Sequence, residues 1–165
     1  MVKGRAFKLL LISGVLIGAA VLVPILAQAG SSAAGSHIRG AGTTMVEGGT
    51  GSPTFTPLLT KVAFHWRNGE GAFECLALAP SASAGSAGSG DFNTNVMYVT
   101  GNVTSGRVRG RIAVLRGSAT VTGVGAGSNM PFKATVTRGG PGATLVLEVS
   151  GLTFNEILLE GRFVF

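Results

Sequence analysis

Short runs of alternating apolar and polar residues recur along the chain from residue 43 onward. In "LTKVAFHWR", residues 59–67, Val62, Phe64 and Trp66 fall on one face, and Ala63, His65 and Arg67 fall on the other. A period of two is typical of strands that bury one face. Glycine clusters separate these runs, which return about every ten to fifteen residues. We therefore predict an all-β protein, an antiparallel β-sandwich or small barrel-like domain of about eight or nine strands.

The pattern places strands at residues 43–48, 59–67, 71–78, 95–101, 107–117, 118–124, 131–138, 143–151 and 155–165. Asn68-Gly69, between the second and third of these, is a strong hairpin signal. The last strand aligns its apolar residues on one face: Ile157, Leu159, Phe163 and Phe165. This phase places Glu156 and Glu160 on the solvent face. The alternation in the preceding strand, residues 143–151, places Glu148 on the solvent face as well.

A glycine-rich stretch at residues 123–128, "GVGAGS", has the density of glycine found in phosphate-binding loops. Dinucleotide-binding loops lead from a strand into a helix, whose free N–H groups hold the pyrophosphate. Here the residues on both sides of the stretch alternate with a period of two, which is typical of strands. The stretch also lacks the lysine of a Walker A phosphate-binding loop. We interpret the stretch as a hairpin connection, with an anion site as the alternative. "TRGGPGAT", residues 137–144, is the matching turn before the next strand.

The N-terminal 29 residues have the three parts of a secretory signal peptide. Lys3, Arg5 and Lys8 precede an uncharged apolar run, and Ala27 and Ala29 form a small-residue cleavage site. We predict a signal peptide at 1–29, a flexible leader at 30–41 and a single β-domain at 42–165. The mature protein is then secreted, either extracellular or periplasmic. The alternative is an uncleaved N-terminal membrane anchor.

The formal net charge of +6 comes from thirteen basic and seven acidic residues. Three of the thirteen belong to the signal segment, so ten basic residues oppose seven acids in the rest of the chain. That balance gives no reason to expect nucleic acid as a partner. Arg107, Arg109 and Arg111 nevertheless repeat with a period of two on one predicted strand face. They are the candidate ligand-binding residues, suited to an anionic polymer such as an acidic polysaccharide, or to a lipid headgroup. The alternative is that their charge protects an exposed strand edge.

Candidates for catalysis and metal binding are few. Neither paired carboxylates nor a nucleophile elbow stands out, so we do not expect an enzyme. The two histidines, His37 and His65, are not part of a clustered zinc set. Asp91, Asn93 and Asn95 have calcium-loop spacing, but the loop is short and carries one charge. We predict no metal and no cofactor.

Cys75 is the only cysteine, so the exported domain has no internal disulfide. It shares a strand face with Phe73 and Ala77, and the adjacent Glu74 has the wrong sign to activate a thiol. We predict a buried, inert thiol.

The second half of the chain, residues 98–163, resembles small secreted bacterial β-domains of the post-COAP-1 type. The matching residues are Gly117, Ala119, Val121 and Gly123, then Phe132, Ala134 and Val136, then Gly140 to Gly142, and finally Glu160 and Gly161. The resemblance implies an exported β-domain and adds no site. Arg138 and Ala143-Thr144 stand where that family has acidic residues, so we expect no cation site at this turn.

Taken together, these features predict a secreted or surface-exposed, non-enzymatic β-domain with a structural or adhesive role. One alternative is a module that binds an anionic polymer through Arg107, Arg109 and Arg111. Another is a small outer-membrane β-barrel, because Phe163 and Phe165 end an amphipathic last strand in the manner of barrel assembly signals. The shortage of tyrosine and tryptophan for aromatic girdles counts against this second alternative.

Overall fold

A computed structural model describes residues 37–52, 57–81 and 91–165. Segments of alternating inward and outward residues form eight strands, and each strand pairs antiparallel with the next one along the chain. The eighth strand pairs with the first, so the sheet closes into a barrel. The strands are β1 (Ile38–Gly48), β2 (Leu59–Arg67), β3 (Glu70–Pro80), β4 (Phe92–Arg109), β5 (Ile112–Gly123), β6 (Gly127–Thr137), β7 (Thr144–Val149) and β8 (Leu152–Val164). The predicted all-β, barrel-like domain is confirmed.

Among the described residues, no helix is long and apolar enough to cross a membrane. The predicted signal peptide and the leader as far as residue 36 lie outside the described residues.

We name the two ends of the barrel by their connections. The turn end carries the β2–β3, β4–β5 and β6–β7 connections, together with the start of β1 and the finish of β8. The loop end carries the other four connections. At the turn end, Asn68 and Gly69 both have positive φ, 54° and 93°. This is the tight two-residue hairpin that the sequence predicted. β2 has the predicted bounds.

The first strand begins earlier than predicted, and this corrects the boundary of the leader. β1 starts at Ile38, whose side chain is fully buried, so the last four residues assigned to the leader are strand. The apolar alternation was hidden because glycine occupies the next two inward positions. A Cβ on Gly40 would lie 2.5 Å from the rings of Phe163 and Phe64. The strand can pass these large side chains only because it carries no side chain there.

The predicted strand 107–117 is wrong, because the chain reverses within it. Gly110 and Arg111 form the β4–β5 turn, and Arg109 pairs with Ile112. The reversal sends Ile112 outward, where it is 45% exposed, and brings its neighbour Ala113 inward. The glycine that had suggested a boundary, Gly117, lies in the middle of β5.

The barrel interior is a largely apolar core that also contains three buried polar residues, Thr44, Thr60 and Glu156. An eight-stranded barrel is narrow enough for inward side chains to fill most of its interior, so inward residues from all strands meet. Four phenylalanines lie next to one another within the core. The ring of Phe64 lies 6.4 Å from that of Phe73 and 5.2 Å from that of Phe163, and Phe73 lies 5.1 Å from Phe132.

The glycine-rich stretch is the β5–β6 connection at the loop end, as the sequence predicted. β5 ends at Gly123 and β6 begins at Gly127. Within the turn, the Ala126 amide donates a hydrogen bond to the Gly123 carbonyl at 3.2 Å. Its glycines therefore serve the reversal of the chain.

Candidate functional site

The turn end of the barrel gathers most of the basic residues. Ten lysines and arginines follow residue 36, and seven of them lie at this end: Arg39, Arg67, Arg107, Arg109, Arg111, Arg138 and Arg162. They come from four strands (β1, β2, β4 and β8) and from the β4–β5 and β6–β7 connections, which span most of the barrel sequence. All seven are exposed to solvent. Closure of the barrel therefore builds a basic surface that no single stretch of sequence contains, and we call these seven residues the arginine end.

Few acids balance this surface. Glu70, at the first position of β3, is the acidic residue nearest the turns, and Glu160 lies further along β8 opposite Thr43. The ion pair found among the described residues joins Lys133 to Glu148, away from this end. Within that part of the chain, the seven guanidiniums thus have no carboxylate partner and remain available to an external anion.

The two ends of the barrel differ in the sign of their charge. Glu47 and Asp91 lie at the loop end, and the described residues there include no lysine or arginine. The barrel is therefore polarised along its axis. Such a separation of charge orients a protein as it approaches a charged surface.

The three arginines predicted from the sequence are all part of the arginine end, although not as one strand row. Arg107 and Arg109 occupy alternate outward positions of β4, about 7 Å apart by strand rise. Arg111 lies in the turn, where its Nη2 donates a hydrogen bond to the Arg138 carbonyl at 3.1 Å. The Arg138 guanidinium in turn sits 5.0 Å from the centre of the Phe165 ring. These contacts hold the tip of the β4–β5 hairpin beside the β6–β7 connection.

The same hairpin leans over the end of the barrel. Beyond Val103 the register of β4 shifts, and its last residues pair with β5 alone. Gly106 lies against the Trp66 ring and Ile38, and a Cβ there would approach Trp66 to 2.6 Å. The β-bulge bends the strand and increases its twist. This closes the turn end and leaves Arg107 and Arg109 on its outer surface.

A polar groove borders the arginine end on the outside of β2, β3 and β4. Its volume is about 590 Å³, and its side chains include His65, Arg67, Glu70, Asn102 and Thr104. It therefore combines one guanidinium and one carboxyl group with imidazole, amide and hydroxyl groups that can form hydrogen bonds. That mixture suits a sugar ring bearing hydroxyl groups beside a carboxylate or sulfate.

A second polar cluster lies inside the barrel, near the loop end. The Thr60 hydroxyl donates to Glu156 Oε2 at 2.5 Å, and the Thr44 hydroxyl donates to the same oxygen. The two hydroxyl groups are also within hydrogen-bonding distance of each other. Glu156 Oε1 has no hydrogen-bond partner among the described residues. All three residues are at most 3% exposed.

Burial raises the pKa of Glu156, because a carboxylate loses its hydration in the barrel interior. The hydrogen bonds from Thr44 and Thr60 stabilise the ionised form and oppose the shift, but burial is the larger effect. The cluster therefore favours a neutral carboxyl group. Since no side chain of the cluster reaches solvent, it has no route to a substrate in this structure.

The prediction that Glu156 faces solvent is wrong. β8 begins at Leu152, so the inward residues are Phe154, Glu156 and Leu158. The strand is irregular between Leu158 and Glu160, where it carries an extra residue relative to β1. This bulge changes the phase, so Phe163 also faces inward although it lies five positions, an odd number, beyond Leu158. A single alternation drawn through both ends of the strand could not accommodate the extra residue.

The cysteine has the inert environment that the sequence predicted. Cys75 is fully buried and reduced. Burial raises the pKa of its thiol, and the nearby Glu156 raises it further, whereas the Thr60 hydroxyl lowers it by less. A thiol that resists ionisation is a poor nucleophile.

The remaining candidates do not come together. Asp91, Asn93 and Asn95 lie exposed at the start of β4, and His65 is exposed on β2. Within the described ranges, no group of three His, Cys, Asp or Glu residues could hold a metal ion.

Comparison with protein-family models, with curated proteins and with solved structures finds no match for this chain.

Proposed function

We propose that this protein is an exported, non-enzymatic barrel domain that adheres to an acidic polysaccharide through its arginine end. The observation that carries the proposal is the gathering of seven exposed arginines at one end of the barrel. The resemblance of residues 98–163 to exported bacterial β-domains, and the signal-peptide pattern at 1–29, support the exported location.

Arginine suits this role because of its chemistry. Its planar guanidinium presents several donors and binds carboxylate and sulfate groups in pairs of hydrogen bonds. One exposed ion pair contributes only about 0.2–1 kcal/mol. Useful affinity therefore needs several contacts at once, which a polymer with repeated anionic groups can provide. The bordering groove, with Asn102 and Thr104, favours a polymer that also offers hydroxyl groups.

Protection of a strand edge explains only part of the arginine end. The last residues of β4 pair with β5 alone, so charge at Arg107 and Arg109 also shields a short edge. Arg39, in contrast, pairs with His65 on one side and Val164 on the other. A strand paired on both sides has no edge to protect, so another reason is needed for the charge there.

The outer surface of the barrel favours an exported domain over the outer-membrane alternative. A membrane barrel turns an apolar band outward and a polar surface inward. Here the interior is apolar apart from Thr44, Thr60 and Glu156, and charged side chains point outward from five strands: Lys61, Glu74, Arg116, Lys133 and Glu148. Placing those charges against lipid would be costly.

The proposal is tested with immobilised heparin, a sulfated polysaccharide, at low and high salt. The R107S/R109S double variant should elute at lower salt than the unmodified protein and bind at least about tenfold more weakly at low ionic strength, because two of the seven charges are lost. The K61S/R116S double variant removes the same charge from the sides of the barrel. It should elute close to the unmodified protein.

Two results would overturn the proposal. One is equal loss of binding in the two double variants, which would mean that net charge alone governs retention. The other is retention on vesicles containing anionic phospholipid together with no binding to heparin or alginate, which would assign the arginine end to a membrane surface instead.

A further inference from the structure

The loop end of the barrel opens into an apolar cavity of about 450 Å³. Its lining is formed by Gly51, Ser52, Leu58, Ala77, Ala79, Val96, Met97, Val124 and Phe154. No charged side chain is among these described residues. The volume falls within the range of about 300–1,000 Å³ that is usual for small-molecule sites.

Small residues create this space. Inward positions of a closed eight-stranded barrel are normally filled by side chains that meet across the axis. β3 carries Ala77 and Ala79 at its two inward positions nearest the loop end, whereas deeper in the barrel it carries Cys75 and Phe73. The barrel is therefore filled near the turn end and left open near the loop end.

The floor of the cavity separates it from the buried carboxyl group. Leu58 and Phe154 line the cavity, and each lies two residues before a member of the polar cluster, Thr60 and Glu156. Both lining residues are at most 6% exposed, so they are packed side chains rather than part of the rim. A molecule above them would meet carbon atoms and not the carboxyl group.

The rim of the cavity exposes apolar surface to water. Val124, in the β5–β6 turn, is 51% exposed although it is a large aliphatic residue, and it lines the cavity. Its backbone amide donates to the Val96 carbonyl at 3.0 Å, so the turn is tied to β4 and Val124 is held at the opening. When a ligand covers concave, anchored apolar surface that is open to solvent, the free energy of the system falls, because apolar area is removed from water.

We propose that this cavity is a binding site for a small, neutral, predominantly apolar molecule. The uncharged lining excludes an ionic ligand, because an ion would lose its hydration there without a partner. The site lies at the opposite end of the barrel from the arginine end and does not depend on polysaccharide binding.

The test uses N-phenyl-1-naphthylamine, a neutral probe whose fluorescence rises in apolar surroundings. Neutrality matters because an anionic probe would be drawn to the arginines. The purified protein should bind one equivalent saturably with micromolar affinity. A79F fills the cavity and should weaken binding at least tenfold. A63F makes the same change on the exposed outer face of β2 and should leave binding unchanged.

If A79F does not fold, V124S is the variant that tests probe binding in its place. Val124 is exposed, so the replacement leaves the core intact, and it should weaken probe binding about fivefold through lost apolar contact. The proposal is overturned if the unmodified protein shows no saturable binding, or if folded A79F, or V124S in its place, binds as the unmodified protein does. R107S/R109S should bind the probe normally, which separates this site from the arginine end.

Discussion

Replacing Glu156 with glutamine tests the energetics of the buried carboxyl group. The raised pKa of Glu156 means that the folded protein binds this proton more tightly than the unfolded chain does. The resulting stabilisation is fully present below the ordinary value of 4.5 and is lost as the pH rises through the folded pKa. Within that window, the group lowers the free energy of unfolding by about 1.4 kcal/mol for each pH unit gained.

Glutamine removes this dependence but keeps the shape. Its amide oxygen can still accept hydrogen bonds from Thr44 and Thr60, and it does not ionise. We therefore expect E156Q to lack the downward slope that Glu156 imposes. Between pH 4.5 and the folded pKa of Glu156, the difference in unfolding free energy, E156Q minus unmodified protein, should grow in favour of the variant by up to about 1.4 kcal/mol per pH unit, and it should stay constant above that pKa.

Urea denaturation followed by circular dichroism at several pH values between 4 and 8 measures this difference. E74Q is the matched control, because it removes a carboxyl group from the exposed face of β3. E74Q should show the same decrease of unfolding free energy with rising pH as the unmodified protein. Parallel pH profiles for E156Q and the unmodified protein would refute the reasoning, since they would mean that Glu156 takes up no proton on folding.

Three further predictions concern the core. F163A should cost about 3–5 kcal/mol of unfolding free energy, measured by urea denaturation, because it empties a fully buried aromatic position between β8 and β1. G117A should lower the melting temperature markedly, since its Cβ would lie 1.8 Å from the Asn102 carbonyl oxygen. G110A has open space around its Cβ, so it should cost less, only the backbone strain of an alanine at a φ of 57°. Equal losses would contradict the packing argument. Cys75 should react with a thiol reagent only at the rate of unfolding, and rapid modification of the native protein would show that the barrel opens locally.

Several elements could be predicted from local pattern alone. β2 has its predicted bounds because Val62 and Phe64 alternate without interruption with the smaller or polar outward residues Lys61, Ala63 and His65. The hairpin at Asn68-Gly69 followed from the tolerance of these two residues for positive φ. Cys75 was placed correctly because its neighbours on the same face are apolar.

Other elements could not be predicted, because glycine and bulges conceal the period. Gly40 and Gly117 occupy inward positions, yet they contribute nothing to an apolar pattern. In β8, three consecutive apolar residues at 157–159 fit either phase, and only the bulge opposite Thr43 and Thr44 determines which one is adopted. Glu156 was consequently assigned to the wrong face.

The sequence by itself determined the all-β class, the tight turn at Asn68-Gly69 and the antiparallel pairing of neighbouring strands, because these depend on residues close together in the chain. It also determined that basic residues outnumber acids. The tertiary structure alone decided that β8 meets β1, since this pairing joins residues more than a hundred positions apart. Closure then brought Glu156 beside Thr44 and Thr60, left the cavity at the loop end, and gathered arginines from distant strands into one surface. Each of these features depends on which side chains meet across a closed barrel. Alternation along one strand indicates only which face a residue occupies, and it does not indicate which residue lies opposite.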